Sequence, residues 1–184
     1  MSNAKARVGT PGTSSGHVIR DSSLGLATDT VDAIIAMNDL VWGRNSVRMA
    51  LLEMLRLRNA RTVNCVFCKS VRYDVARKDG LTEDKVERID DDYGSSDLSE
   101  IEKLTLAFAD VYLRAPGSFD PALIAQLREH FSEEQICHMA IALASFNATS
   151  KCAVSLGGMP ESLPVMEVEL KVERVTAQSI GNNG

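Results

Sequence analysis

The sequence lacks a long hydrophobic run, although 45% of its residues are apolar. A membrane-spanning helix needs roughly 18 consecutive apolar residues, and no segment of the sequence approaches that length. The basic residues Lys5 and Arg7 are followed by no hydrophobic segment, which argues against a signal peptide or an anchor. We therefore expect a soluble, cytoplasmic protein.

The sequence also lacks a block of basic residues. Its 20 Lys and Arg are outnumbered by 25 Asp and Glu, and the formal net charge is −5. Binding to nucleic acid or to an anionic membrane depends on clustered positive charge. Neither nucleic acid nor a membrane is therefore expected as a partner.

Cysteine is scarce, with four residues in a chain of 184. That number is too small for a secreted scaffold held together by disulfides. A structural zinc site needs about four ligands, and outside one C-x-x-C pair the plausible donors are Cys137, His138 and Cys152. We expect no metal site, and we expect these three side chains to pack inside the protein or at an interface.

A close cysteine pair, Cys65 and Cys68, is the feature of the sequence with the clearest chemistry. Cysteines three residues apart on a helix lie on the same face, within reach of a disulfide. Asn64 is a good N-cap, so we expect Cys65 to begin a helix and Cys68 to lie in its first turn. Free backbone N–H groups at that position favour thiolate over thiol, which makes the pair a candidate redox centre. The alternative is that both cysteines are small buried core residues.

Helical patterns dominate the rest of the chain. Capping boxes that begin at Ser99 and Ser132, and the pair Asp120–Pro121, predict three helix starts. The cysteine helix is expected to follow a break at residues 59–64 and to run to about Lys78. The predicted fold class is all-α, a bundle of about seven helices.

Two helices carry polar residues among apolar ones. The helix that begins near Asn45 is expected to place Arg56 and Arg58 away from its apolar face. The long helix after Ser132 is apolar on most sides, which predicts a position in the middle of the bundle or at a subunit interface. Within it, Asn147 is expected to stabilise helix packing through a buried hydrogen bond.

Composition divides the chain into three parts. Residues 1–16 are rich in glycine and serine and are expected to be flexible. Residues 17–160 are expected to form the helical domain, and residues 161–184 a C-terminal tail.

The tail contains a possible short β-strand. Val168, Leu170 and Val172 alternate with charged residues, which is the period of a strand. A lone strand needs a partner edge. The strand is therefore expected to pair with residues near 17–21 or with another subunit.

The cysteine pair lies in a longer motif. Glu53 precedes Cys65 with eleven residues between them, and Cys68 follows after two more, in the segment LLEMLRLRNARTVNCVFC. Three further segments agree with the same family, namely GLTEDKV at 80–86, LREHFSEEQI at 127–136 and FNA at 146–148. Across roughly residues 30–158 the chain resembles the AhpD-like alkylhydroperoxidases of the carboxymuconolactone decarboxylase superfamily.

The resemblance implies a small helical protein that forms homo-oligomers, commonly trimers or hexamers, and needs no metal, haem or flavin. It implies a thiol peroxidase in which Cys68 attacks the hydroperoxide, Cys65 resolves the sulfenic acid to a disulfide, and Glu53 belongs to a proton relay. The alternative for Glu53 is a solvated or ion-paired helix residue, with Arg56 or Arg58 nearby. A dithiol donor, such as a lipoyl or thioredoxin-like protein, would reduce the disulfide again.

The chain departs from the family motif at Arg72, where a histidine is expected four residues after the second cysteine. A guanidinium stays charged and does not act as a base. Arg72 could stabilise a Cys68 thiolate from one helical turn away, or pair with Asp74 or Glu53. It also leaves open a carboxymuconolactone decarboxylase-like lyase, in which Arg72 binds the carboxylate of a small lactone acid. A third interpretation is a catalytically inactive oligomeric binding protein.

Overall fold

The computed structural model describes residues 5–12 and 14–170. Within them the chain forms nine α-helices, which are α1 (Val18–Asp21), α2 (Thr28–Gly43), α3 (Met49–Val63), α4 (Val66–Ser70), α5 (Asp74–Lys78), α6 (Glu83–Glu87), α7 (Glu100–Arg114), α8 (Pro121–His130) and α9 (Glu133–Leu156). Two 3-10 helices span Ser23–Leu26 and Tyr93–Ser95, and two strands are β1 (Val71–Tyr73) and β2 (Met166–Val168). The predicted helical fold is confirmed, with several helices of only four or five residues in addition to the long ones.

Helix α3 lies at the centre of the bundle and packs against both α9 and α7. Every α3 residue from Met49 to Ala60 is buried, including the charged ones. Helix α9 is more apolar but less enclosed, since Ile141 is half exposed. The prediction that Arg56 and Arg58 lie away from the buried face is wrong, because both are buried. Arg56 pairs with Glu53 of the same helix, and Arg58 pairs with Asp110 of α7.

The predicted helix starts are confirmed. Ser99 and Ser132 form capping boxes with Glu102 and Gln135, so that each pair satisfies two backbone N–H groups. Asp120 accepts a backbone N–H at the start of α8. These caps need only residues within one turn of each other, which is why the local sequence predicts them.

The predicted long cysteine helix is wrong in two respects. The backbone stays helical through residues 59–63, so the break before the pair is confined to Asn64 and Cys65. Helix α4 then ends at Ser70, and strand β1 separates it from α5. Pairing with a strand from the far end of the chain holds these residues extended, which a local helical pattern does not reveal.

The two strands pair in parallel. Val71 lies opposite Met166 and Tyr73 lies opposite Val168. A C-terminal strand is therefore confirmed, but it ends at Val168, where the alternation that predicted it begins. Its partner is β1 and not residues 17–21, because residues 18–21 form a helix.

Side chains hold the segment after α9 against α4 and α5. The Ser70 hydroxyl donates to the carbonyl oxygen of Leu163 at 3.2 Å, and the Asp74 carboxylate accepts the N–H of Leu170 at 2.9 Å. The part of the predicted strand from residue 171 to 173 lies outside the described residues.

Arg7 joins the N-terminal segment to the end of α9. Its N–H donates to the Leu156 carbonyl at 2.8 Å, and its guanidinium donates to two further carbonyls of the last turn. These bonds satisfy carbonyl groups that a helix C-terminus leaves unpaired. Residues 1–4 and 13 lie outside the described part of the chain, and the flexibility of residues 1–16 stays a prediction.

Among the described residues, α9 is the helix that is long and apolar enough to cross a membrane by length and composition alone. In this fold it packs against α3 and α2, and 33% of its most apolar stretch is buried within the protein. Met139, Leu143 and Phe146 belong to the hydrophobic core. Helix α9 therefore contributes to the hydrophobic core of this fold.

The capping box of α7 makes stability depend on pH through Glu102. Burial raises the pKa of the Glu102 carboxyl. The hydrogen bonds from Lys85 and from the N–H and hydroxyl of Ser99 together lower it by more, so that the pKa lies below the ordinary value of 4.5. A group with a depressed folded pKa stabilises the protein above its unfolded pKa, and this contribution is lost as the pH falls through the folded pKa.

We expect Glu102→Gln to lower the free energy of unfolding by about 1 kcal/mol near neutral pH, because the amide keeps the cap but loses the charge that faces Lys85. The difference from the wild type should shrink as the pH falls below 4.5. Urea denaturation at several pH values measures it, with the exposed Glu100→Gln as the matched control. A difference that stays constant across this pH range would contradict the role of the Glu102 charge.

Candidate functional site

The two cysteines are bonded to each other where α3 meets α4. Cys65 and Cys68 form a disulfide with their Cα atoms 5.2 Å apart. Asn64 ends α3 in the left-handed conformation, with φ 58° and ψ 42°, which asparagine tolerates better than most residues. The prediction that Asn64 caps the cysteine helix is therefore wrong, since it closes α3 and turns the chain into α4.

The two sulfur atoms have different surroundings. Cys65 is fully buried, and its sulfur accepts the backbone N–H of Cys68 at 3.2 Å, so that Cys65 is itself the N-cap of α4. Cys68 is only partly buried. Cys68 is therefore the residue of the pair that solvent reaches.

A chain of polar side chains ends at the Cys68 sulfur. Asn147 Nδ2 donates to Asn59 Oδ1 at 2.8 Å, and Asn59 Nδ2 donates to Ser150 Oγ at 3.1 Å. The Ser150 hydroxyl then donates to Cys68 Sγ at 3.4 Å. The hydrogen bond predicted for Asn147 is thus confirmed as a link between α9 and α3.

Asn59 and Ser150 are site residues that the sequence did not single out. Asn147 and Ser150 are three residues apart on α9 and so share a face, and polar residues at this spacing in an apolar helix were the available signal. Asn59 gives no such signal, because the sequence predicts a break between helices at residues 59–64, where α3 in fact continues to Val63.

Glu53 is completely buried and is held by Arg56. The Nε and Nη2 atoms of Arg56 each lie 2.6 Å from one oxygen of the carboxylate. The same guanidinium donates to the carbonyl oxygens of Cys68 and Val71 at 2.7 Å. Glu53 therefore reaches the cysteine segment through Arg56, and its place in a proton relay stays a prediction.

The ion pair with Glu53 keeps Arg56 protonated. Burial lowers the pKa of the guanidinium, but the attraction and hydrogen bonds of Glu53 raise it by more, and the net shift is upward. The guanidinium also lies 5.2 Å from the ring centroid of Tyr73, and Tyr73 packs on Trp42 with ring centroids 4.7 Å apart. Trp42 is fully buried, and Phe67, between the two cysteines in sequence, is partly buried.

Arg72 does not lie on the cysteine helix, because it belongs to strand β1. Its Nε lies 3.0 Å from the Glu83 carboxylate, and its Nη1 donates to the carbonyl oxygens of Lys69 and Val71. The predicted pairing with Asp74 or Glu53 is wrong, since strand geometry turns the side chain toward α6. The described contacts of Arg72 thus tie α4 and β1 to α6.

The remaining candidate side chains lie on α9. Cys137 is exposed and Cys152 partly buried, so the expected interior packing of Cys137 does not hold within a single chain. His138 is satisfied as expected, because its Nδ1 accepts the N–H of Ser46 at 3.2 Å. No cluster of three or more His, Cys, Asp or Glu side chains that could hold a metal occurs in residues 5–12 and 14–170.

Cavity volume does not locate the site. A cavity of about 450 Å³ lies between α7 and α8, and another of about 480 Å³ is lined by charged residues around Arg58 and Arg61. Neither is lined by Cys65 or Cys68. We place the candidate site at the cysteine pair because the two sulfurs and the Ser150 hydroxyl lie together there. Neither cavity contains a cysteine that could react with a substrate.

Comparisons with known proteins give relatives without an assigned function. No family model matches the chain. An uncharacterised protein of Mycobacterium tuberculosis is 32% identical over 109 residues, which is 57% of this chain and 37% of the relative. The uncharacterised protein YdfG of Bacillus subtilis is 23% identical over 120 residues, which is 65% of this chain and 82% of the relative. The chain thus spans little more than a third of the length of the mycobacterial relative.

A solved structure has the same fold. It is a protein of unknown function from Agrobacterium tumefaciens, named as a candidate antioxidant defence protein AhpD, and it superposes with a TM-score of 0.62 at 21% identity. The match covers 83% of this chain and 95% of the other. The protein therefore has the AhpD-like fold, and the resemblance inferred from the cysteine motif is confirmed at the level of the fold.

Proposed function

We propose that the protein is an AhpD-like thiol peroxidase, an alkylhydroperoxidase with peroxiredoxin-type activity, that reduces hydroperoxides through Cys68 and Cys65. The observation that carries the proposal is the asymmetric disulfide, in which Cys68 is the more exposed residue and Cys65 is buried beside it. The AhpD-like fold and the antioxidant designation of the Agrobacterium protein support the same activity.

The proposed cycle assigns a separate step to each cysteine. The Cys68 thiolate attacks one peroxide oxygen, so that the O–O bond breaks, a sulfenic acid forms and the alkoxide takes up a proton to leave as an alcohol. The Cys65 thiol then attacks the sulfenic sulfur, which forms the disulfide and releases water. A dithiol donor reduces the disulfide by thiol exchange and is itself oxidised.

The dithiol donor that we propose is a lipoyl or thioredoxin-like protein, and the proposed setting is the cytoplasm. We also propose a homo-oligomer, such as a trimer or hexamer. Its support is the exposed apolar side chains of Met37 and Leu40 on α2 and of Ile141 on α9, two helices that pack together. Burying such side chains against another copy would remove their apolar area from water.

The ion pair of Arg72 weakens the case for a lyase. A guanidinium that binds a substrate carboxylate must be free to do so, but Arg72 is 8% exposed and is paired with Glu83. In the proposed peroxidase Arg72 and Glu53 mainly hold the cysteine segment in place. Arg72 does so by a hydrogen bond to the backbone of α4, and Glu53 does so through Arg56. No described contact favours the lyase over the peroxidase.

Thiol mapping tests the proposal. We expect the fully reduced protein, treated with about one equivalent of organic hydroperoxide, to form the Cys65–Cys68 disulfide rapidly. Peptide mapping after alkylation measures this, and Cys137 and Cys152 in the same digest are the internal controls that should stay reduced. Survival of both thiols, or equal oxidation of all four cysteines, would rule out a dedicated peroxidatic pair.

A further inference from the structure

We propose that Ser150 is a catalytic residue, whose hydroxyl, aligned by Asn59 and Asn147, donates the hydrogen bond that stabilises the Cys68 thiolate. The inference rests on the proposed function, because it takes Cys68 as the attacking sulfur. In the disulfide form that the structure shows, Ser150 Oγ already lies 3.4 Å from Cys68 Sγ.

The chemistry of the donors sets the direction of the hydrogen bonds. An amide nitrogen can only donate, an amide oxygen can only accept, and a hydroxyl does both. Because Asn147 donates to the oxygen of Asn59, the nitrogen of Asn59 turns toward Ser150. The Ser150 oxygen accepts that bond, and its own proton is left for the sulfur of Cys68.

The two residues of the network nearest the sulfur, Asn59 and Ser150, are shielded from water. Asn59 is fully buried and Ser150 is 4% exposed. A hydrogen bond in such surroundings is stronger than in water, and a charged acceptor is bound more strongly than a neutral one. The donated bond therefore favours the thiolate of Cys68 over its thiol, and the thiolate is the form that attacks a peroxide.

Charged side chains also contact α4, and substitution of Ser150 leaves them in place. Arg56 of α3 donates to the Cys68 carbonyl and is neutralised by Glu53. Lys69 of α4 donates from its Nζ to Asn64 Oδ1. Arg72 of β1 donates to the Lys69 carbonyl and is paired with Glu83. A change in thiol reactivity on removal of the Ser150 hydroxyl therefore reports on that hydroxyl.

The test measures how the alkylation rate of Cys68 depends on pH in a Cys65→Ser background. There a serine oxygen can still accept the N–H that caps α4. We expect Ser150→Ala to move the midpoint of the pH profile of Cys68 alkylation upward by about one pH unit. At a pH well below the midpoint, the fraction of Cys68 present as thiolate should then be roughly tenfold smaller. Ser150→Thr keeps the hydroxyl and should keep the profile.

A second variant tests the alignment at a distance from the sulfur. Asn147→Ala releases the oxygen of Asn59, so that the amide can turn, and we expect a smaller upward shift of the Cys68 profile. Thr149→Val removes the neighbouring hydroxyl, which bonds only to the carbonyl of Ser145 among the described contacts, and should leave the profile unchanged. Circular dichroism checks folding, and Asn147→Ala decides the question if Ser150→Ala does not fold.

Two readouts separate this inference from the proposed function. A Cys68 profile that does not move in Ser150→Ala or Asn147→Ala would overturn the role of Ser150, even in a protein that consumes hydroperoxide. A profile that moves as expected in a protein without hydroperoxide consumption would support the network and overturn only the peroxidase proposal.

Discussion

Cys68→Ser is expected to abolish hydroperoxide consumption. A serine hydroxyl is not deprotonated near neutral pH, whereas a cysteine at the start of α4 offers a thiolate that can attack the O–O bond. The Ser150 contact would still be made, so the loss would follow from the missing sulfur and not from misfolding. The measurement is the rate of consumption of an organic hydroperoxide in the presence of a dithiol reductant.

Cys65→Ser is expected to behave differently, because Cys65 acts only after the peroxide has been cleaved. One equivalent of hydroperoxide should be consumed, and a sulfenic acid should persist at Cys68 and react with a sulfenic acid probe. Cys137→Ser is the matched control and should retain full activity, since this exposed thiol lies outside the site. Unchanged consumption in Cys68→Ser would show that another residue is the nucleophile.

Arg56→Met should cause the largest loss of stability. The substitution leaves the carboxylate of Glu53, whose side chain is 1% exposed, buried without a partner, and it removes the donor to the carbonyls of Cys68 and Val71. Breaking a buried pair in this way costs about 3–5 kcal/mol. For a domain of this size that corresponds to a Tm lower by roughly 6–20 °C in a thermal melt.

The exposed pair of Arg128 and Glu133 provides the control for Arg56. Its side chains are 60% and 83% exposed, so Arg128→Met should cost less than about 1 kcal/mol. The double variant with Glu53→Leu and Arg56→Met should recover part of the loss, because no charge is left unpaired. Equal destabilisation by Arg56→Met and Arg128→Met would contradict a structural role for the buried pair.

The sequence alone determined the features that depend on neighbouring residues. The capping boxes at Ser99 and Ser132 were predicted because each is complete within four residues. The pairing of Cys65 and Cys68 was predicted because a helical spacing of three places both sulfurs on one face. The helical class of the fold followed from the repeated apolar spacing.

Only the tertiary structure decided the features that depend on distant residues. Strand β1 interrupts the expected cysteine helix because β2, more than ninety positions later in the chain, pairs with it, and that pairing removes Arg72 from the face of Cys68. The ion pair of Glu53 and Arg56 is local, three residues apart on α3, but its burial follows from the packing of α7 and α9 around that helix. The Ser150 hydroxyl meets the Cys68 sulfur across 82 positions of sequence. Such contacts form when separate helices pack, and no periodicity or spacing within one segment encodes which side chains will then meet.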